Sequence, residues 1–403
     1  MTDLTYIDFF AGCGGLSDGF ELSGAFTGVV HVEIDPVAAK TLANRITTKY
    51  RRDGAAEVKI FDIQRTKELI EGWSNDPTFA NDPGLRARLG KNGQLDALIG
   101  GPPCQAYSLA GRIRDEHGME FDYRNYLFES YIKILEWARP KVFVFENVVG
   151  ILSAKPGGVP IVKRISKAFG KAGYTVLEDF RNAVFDLSRY GVPQKRSRVI
   201  IVGIRNDLYG WSTRQRLANF YHEFRERHGG DAVVTASQAI GDLPKLLPMG
   251  SVPSGERRSH KLATRPVLNH QPRFHNARDI ETFRLLADDL ASGRRQYTSI
   301  DALKTLYTER TGKTSAVHKY HVIRPDEPSN TIPAHLYKDG LRHIHWDPKQ
   351  ARTITVREAA RLQGFDDSFE FLGSMGDQYR MIGNAVPPSF AAMLARRLAF
   401  MLS

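Results

Sequence analysis

One of the two cysteines in this 403-residue chain stands in Gly100-Gly101-Pro102-Pro103-Cys104-Gln105-Ala106-Tyr107-Ser108, directly after the apolar run at 95–99. Prolines stiffen the backbone before Cys104 and glycines let it turn, so the stretch reads as an exposed, rigid turn that presents a thiolate nucleophile. Such a nucleophile needs an acid or a charge partner. Glu146 supplies a carboxylate at the end of the apolar run 142–145. Arg196 and Arg198 in Pro193-Gln194-Lys195-Arg196-Ser197-Arg198 supply guanidiniums, and their alternation in an extended strand puts both on one face.

A second constellation lies near the start. Asp8-Phe9-Phe10-Ala11-Gly12-Cys13-Gly14-Gly15-Leu16-Ser17 follows a candidate strand, and its glycines permit a sharp turn and close approach to a ligand. The spacing differs from G-x-G-x-x-G, so a dinucleotide is not the ligand it fits best. Glu33, followed by Ile34, stands roughly 20 residues beyond the glycines, where a carboxylate accepts the hydroxyls of a ribose. Asp62 and Ile63 follow a third strand beside the same crevice. Glycine loop, ribose carboxylate and a second acid describe a nucleoside cofactor that carries no pyrophosphate. No Cys/His spacing builds a metal site.

These residues need a frame that gathers them. Apolar, β-branched runs at 5–9, 29–34, 58–61, 95–99, 142–145, 174–179 and 199–202 alternate with segments that suit helices. That is the pattern of an α/β fold with a doubly wound, mostly parallel seven-stranded sheet, whose ligands gather at the carboxyl ends of the strands. After about residue 206 the alternation stops, and polar, Pro-containing, Arg-rich sequence predicts a second, smaller domain with an irregular core. Near residue 352 regular signals return: Thr355 caps a short helix that Gly364 ends, and a last helix covers about 389–401. The expected division is 1–205 plus 377–403 for chemistry and cofactor, and 206–376, including a hinge at 352–366, for the second domain.

Composition narrows the partners. Hydrophobic residues make up 42% and charged residues 25%, which argues against extended disorder. No apolar run reaches the length of a membrane span and the first residues lack a basic leader, so a cytoplasmic protein is expected. Two cysteines build no disulfide framework. The net charge of +11 favours a polyanion, and Arg257, Arg258, Lys261, Arg265, Arg273 and Arg278 form a stretch without an acidic residue. Arg257 and Arg258 are the residues expected on phosphates.

In order along the chain, "DFFAGCGGL", "EID", "GGPPCQAYS", "FENV", "PQKRSR", "RTITVREAARLQGF" and "IGNAVPP" resemble the motifs of the bacterial C5-cytosine DNA methyltransferases. The resemblance covers roughly 5–205 and 325–400. It implies an S-adenosylmethionine-dependent, Rossmann-like catalytic domain, with 206 to about 325 as target-recognition sequence. It implies that Cys104 attacks C6 of a flipped cytosine, that Glu146 holds N3 and the exocyclic amine, and that Arg198, supported by Arg196, contacts the base and orders the site. S-adenosylmethionine is expected against Phe10, Ala11, Gly12, Gly14, Gly15, Leu16, Glu33, Ile34, Asp62, Ile63 and Pro102, with Asn384 and Ala385 closing the pocket. Ser108, Arg112 and Arg124 fall in a segment implied to close on DNA.

The expected substrate is double-stranded DNA, met by a monomer, with any cognate restriction endonuclease a separate chain. Two alternatives stay open at this point: a tRNA cytosine-5 methyltransferase, and a DNA-binding regulator with a silent catalytic fold. A nicotinamide-dependent oxidoreductase would not need the ordered thiol, glutamate and arginines.

Overall fold

The computed structural model describes residues 4–89, 94–103, 127–228, 233–250, 258–262, 264 and 266–403. The first of two units comprises Met1–Tyr190, Arg196–Asp231 and Ala385–Ser403, and the second Gly191–Lys195 and Ala232–Asn384.

The first unit begins with β1 (Leu4–Phe9), α1 (Gly15–Leu22), β2 (Phe26–Glu33), α2 (Pro36–Tyr50), α3 (Gly54–Glu57), β3 (Val58–Ile60), α4 (Thr66–Glu71), α5 (Gly84–Leu89) and β4 (Ala97–Gly100). It continues through α6 (Leu127–Ala138), β5 (Val142–Val148), α7 (Ile161–Lys171), β6 (Tyr174–Thr175), β7 (Val184–Asp186), β8 (Ser197–Arg205) and α8 (Thr213–His228). The second unit carries α9 (Ala236–Ile240), β9 (Leu246–Pro248), β10 (His260–Leu262), α10 (Ala277–Ala291), α11 (Ile300–Thr311), α12 (Val356–Leu362) and α13 (Met375–Asn384). The chain then returns to the first unit as α14 (Pro388–Leu402), with Pro388 at the helical position that tolerates proline best.

The sheet runs β3-β2-β1-β4-β5-β8-β6, with β7 also paired to β8. Pairs from β3 to β5 are parallel, whereas β6, β7 and β5 all meet β8 antiparallel. The sheet thus has eight strands rather than the seven expected. The additional one, β7, spans only three residues, too short for a period-2 pattern to register. The order reverses between β1 and β4, the switch point at which a doubly wound sheet opens a crevice. Phe9 faces Gly100 and Gly100 faces Phe145 across the ladders, so the residues that follow each strand emerge along one edge. Because β8 runs the other way, its first residues arrive at that same edge.

The division differs from the expected one at both ends. Residues 206–231 belong to the first unit: α8 buries Leu217, Phe220, Tyr221 and Phe224, and the Tyr221 hydroxyl donates to Ile200 O (2.8 Å) while accepting from Val202 N (2.9 Å). A mostly polar helix sequence masked that aromatic stripe. Residues 377–384 and 191–195 belong to the second unit. There Tyr379 donates to Ile354 O at 2.6 Å, and Pro193 and Lys195 exchange backbone bonds with Ser329. The second unit is also less irregular than expected, since α10 and α11 start at the side-chain caps Asn276 and Ser299 and bury Phe283, Leu286, Leu303 and Leu306 together with Tyr320. The Thr355 cap is present, as a reciprocal box with Glu358.

Helix α14 lies directly on α1. A Cβ built on Gly19 would stand 2.3 Å from Ala391 Cβ and 2.6 Å from Pro388 O, so only glycine allows this approach. On an open helix face Gly→Ala gains up to about 1 kcal/mol; here Gly19→Ala is expected to cost about 1–3 kcal/mol through overpacking. Urea unfolding measures the sign, and a gain in stability would refute the contact.

Candidate active site

Two residues past the end of β4, the turn at Pro102 is held by Asn147, buried at the end of β5, whose Nδ2 donates to Pro102 O at 3.3 Å. The preceding residue of β5, Glu146, packs on the same turn: a Cβ on Gly101 would lie 2.8 Å from Glu146 Oε2. Glycine at 101 therefore lets the carboxylate rest against the backbone three residues before the thiol. Cys104 itself, with Ser108, Arg112, Arg124 and Arg257, lies outside the described residues.

The antiparallel register sets Glu146 opposite Ile200, so Arg198 is its diagonal neighbour on the same face of the sheet. Arg198 Nε meets Glu146 Oε1 at 2.8 Å, with both side chains largely covered. Burial pushes the Glu146 carboxyl above its ordinary value, and the Arg198 and Arg196 guanidiniums oppose that rise. Arg196 is buried, and its Nη2 donates to Ala385 O at 3.1 Å. The two arginines that sequence alternation placed on one face thus hold different objects: Arg198 a carboxylate, Arg196 the backbone that leads into α14.

The glycine loop follows β1 with Phe10 at φ 59°, Gly12 at φ 58° and Gly14 at φ 93°. Phe10 in the left-handed region is uncommon for an aromatic residue. A Cβ on Gly12 would meet no atom within 4 Å, whereas one on Gly15 would lie 2.3 Å from Val386 O and 2.9 Å from Ala385 Cβ. The loop is therefore open beside Gly12 and closed by the Ala385-Val386 segment at Gly15. Ala11 and Leu16 are buried in its base.

Glu33, at the end of β2, accepts from Gly12 N (2.8 Å) at Oε2 and from Ile34 N (2.9 Å) and Asp35 N (2.8 Å) at Oε1. Burial raises its carboxyl, and these backbone donors work the other way. A carboxylate offers about four acceptor sites, so three backbone donors leave capacity for a ligand hydroxyl. Ile34 beside it is 58% exposed, an apolar side chain with no core to fill. Asp62 accepts from Gln64 N at 2.9 Å through Oδ1, and Ile63 is buried. Asn384 ends α13 in the second unit, while Ala385 opens the returning segment of the first. Sequence reading missed Asn147; its position next to Glu146 was the available signal.

The second unit contains a cleft of about 980 Å³ lined by Arg258, Lys261, Lys313 and Lys338, with Phe274 on its wall 52% exposed. Arg273, Arg278, His260, His270 and His275 of the basic stretch line the same cleft, and some of them are also committed to the protein's own contacts. Arg273 donates to Tyr337 O at 2.8 Å and to Leu336 O, and stacks 4.2 Å over the Tyr379 ring. His260, His270 and His275 are buried. Among the described residues, no cluster of His, Cys, Asp or Glu suits a metal ion, and no helix is long and apolar enough to cross a membrane.

A family model described as C-5 cytosine-specific DNA methylase matches residues 4–399. The type II methyltransferase M.Bpa9945I of Bacillus paralicheniformis is 34% identical over 97% of both chains. The type II methyltransferase M1.HphI of Haemophilus parahaemolyticus is 30% identical over 97% of this chain and 86% of its own. Among solved structures, a candidate DNA modification methyltransferase encoded in an Escherichia coli prophage superposes with a TM-score of 0.64 at 22% identity, covering 99% of each chain. That likeness shows the fold.

The buried histidines carry a consequence for stability. Desolvation pulls His260 down to about 4, His275 to about 3 and His345 to about 3 from an ordinary 6.5. Below pH 6.5 the unfolded chain binds protons that the folded one refuses, so stability is full above that pH and falls as pH drops toward about 3. Urea unfolding at pH 7.5, 6 and 5 is expected to show a progressive decline, and a flat profile would contradict the buried, neutral assignment.

Proposed function

The chain belongs to the C-5 cytosine-specific DNA methylase family and is a DNA (cytosine-5) methyltransferase; from that premise we propose that it uses S-adenosylmethionine as methyl donor, Cys104 as nucleophile and Glu146 with Arg198 as the group that holds the base. The observation that carries this reading is the Glu146–Arg198 pair resting on Gly101. Glu146 engages Arg198 through Oε1. Its Oε2 lies against Gly101 in the turn that leads to Cys104, which supports reading it as the atom that meets the ring edge of a cytosine.

The chemistry explains each residue type. A cytosine C5 is a poor nucleophile until a thiolate adds to C6, so Cys104 forms a covalent bond there and splits one difficult step into two. Glu146 holds N3 and the exocyclic amine as charge develops on the ring, and Arg198 keeps that carboxyl group oriented. After C5 has taken the methyl group, loss of the C5 proton expels the Cys104 thiolate. The base must leave the duplex stack to reach this edge. Arg196 supports the site by fixing the Ala385 backbone rather than by touching the base.

S-adenosylmethionine supplies the methyl group when bound. The residues fit such a ligand: an open loop at Gly12, a ribose-facing carboxylate at Glu33 with acceptor capacity left, an exposed apolar Ile34 for the adenine, and Asp62 beyond it. Phe10, Ala11, Gly14, Gly15, Leu16, Ile63, Pro102, Asn384 and Ala385 complete the assignment.

Double-stranded DNA is the substrate, bound by a monomer, in a modification system of type II in which any endonuclease is a separate protein. Arg258 and Lys261 in the cleft of the second unit contact phosphates, as do Arg257, Ser108, Arg112 and Arg124 on the same reading. The relatives, type II methyltransferases, favour neither a tRNA substrate nor a silent regulator.

Bisulfite sequencing of unmethylated genomic DNA after incubation with protein and S-adenosylmethionine is expected to reveal protected cytosines in one short sequence context. Cys104→Ser is expected to abolish that protection while retaining DNA binding; methylation by this variant would falsify the covalent mechanism. Glu146→Gln keeps the shape of the side chain and loses its charge, so kcat is expected to fall by about 10²–10³-fold with cofactor affinity unchanged. In gel-shift titrations, Arg258→Ala and Lys261→Ala should weaken binding to all sequences alike, each lowering the salt slope by about 1. A changed sequence preference would instead make these residues base readers.

A further inference from the structure

Behind the glycine loop, three buried polar side chains touch in series. Asp8 lies in β1 two residues before Phe10, Ser17 in the first turn of α1, and His31 in β2 two residues before Glu33. All three are essentially inaccessible. Ser17 Oγ stands 2.5 Å from Asp8 Oδ2 and 2.9 Å from His31 Nδ1. His31 Nε2 is buried with no hydrogen-bond partner among the described residues, and Glu57 Oε2 lies 3.9 Å away. The chain thus joins the three elements whose ends form the proposed cofactor cradle, and none of its members faces the crevice.

A serine hydroxyl has one proton, so Ser17 donates to one neighbour and accepts from the other. If Asp8 were ionised, Ser17 would donate to it and His31 would donate from Nδ1, leaving a bare Nε2 lone pair toward the Glu57 carboxylate. If Asp8 is protonated, it donates to Ser17, Ser17 donates to Nδ1, and the proton on Nε2 points toward Glu57. The second arrangement buries no isolated anion at Asp8 and turns the Nε2–Glu57 approach from repulsive to attractive.

We propose that Asp8, Ser17 and His31 are positioning residues that fix the cofactor cradle through a neutral, one-directional hydrogen-bond chain, whose polarity is set by a single buried proton on Asp8 and whose loss of that proton reverses it. The inference rests on the reading of the glycine loop as an S-adenosylmethionine site.

The surroundings agree with this polarity. Asp8 is pushed up to about 8, chiefly by burial, with Glu33 of β2 adding to the rise and the Ser17 bond opposing it. Tyr131 of α6 also faces it and is itself held neutral. His31 is kept neutral, down to about 3, by burial and by Arg52. Around that ring stand Tyr6 of β1, 5.5 Å away between centroids, and Glu57 of α3. Arg52 is in turn bound by Glu21 of α1 and by Glu57. The sign follows: the chain is intact below about pH 8 and reverses as Asp8 loses its proton above it.

The test uses the full chain with ¹⁵N-labelled histidine, His31 being assigned from a His31→Gln sample. At pH 7 the His31 ring is expected as the Nε2–H tautomer, turning to Nδ1–H as pH rises through about 8. Asp8→Asn, nearly isosteric and without a titrating group, is expected to remove the turn. Calorimetric titration of S-adenosylmethionine should show affinity falling across the same pH interval in the wild type. Ser17→Ala, which loses one buried bond, should weaken binding by up to about tenfold at pH 7. An Nδ1–H ring at pH 7, a tautomer that ignores pH, or unchanged affinity in Ser17→Ala would overturn the proposal. If the wild type binds no S-adenosylmethionine yet its tautomer turns as described, the cradle reading fails and the hydrogen-bond chain stands.

Discussion

The pairing of β8 against β5 is the constraint on which the proposed catalytic edge depends. In a wholly parallel sheet the first residues of β8 would sit at the far end from Glu146. Because β8 runs antiparallel, Arg198 enters at the edge where β4 and β5 end and meets the carboxylate at 2.8 Å. Gly101 completes the arrangement by having no side chain where Glu146 Oε2 lies. Burial shifts the Glu146 carboxyl upward, the two guanidiniums oppose that shift, and the side chain rests against the backbone of the turn at Gly101.

A second arginine–glutamate pair in the same chain has different surroundings. Arg352 and Glu358 are fully buried and bonded through two parallel contacts of 2.6 Å, while Glu358 also receives Thr355 N at 2.7 Å. Its carboxyl is driven far below the ordinary value, so it is saturated and inert. Glu146 has Arg198 at Oε1, and its carboxyl is shifted upward instead. The same two residue types make a structural staple where every acceptor is occupied, and a responsive group where one oxygen is left at a crevice.

Much of this was legible before the structure. The parallel core, the edge carrying Gly12, Glu33 and Glu146, and the Thr355 cap all follow from apolar runs punctuated by Gly, Pro and acids, because buried parallel strands must be continuously apolar and their loops must not be. What escaped the sequence had physical causes. β7 is too short to show a period, and α8 hides Phe220, Tyr221 and Phe224 in a helix that is otherwise polar. The distinct tasks of Arg196 and Arg198 depend on which atoms lie opposite them. Alternation gives a face, but a face does not give a partner.

The basic surface makes the same point about charge. The stretch from 257 to 278 reads as one cationic run, yet folding commits Arg273 to two backbone carbonyls and the Tyr379 ring, pairs Arg278 with Asp279 at 2.9 Å, and leaves its histidines buried and neutral. The cleft is lined by Arg258, Lys261, Arg273 and Arg278 of this stretch, by Lys313 and Lys338, which are distant in sequence, and by Asp279 and Asp339. Phosphate attraction depends on charge at the surface rather than on charge in the chain. A density of arginines along the sequence therefore identifies the kind of partner, while its position on the protein is decided by which guanidiniums the interior has already taken.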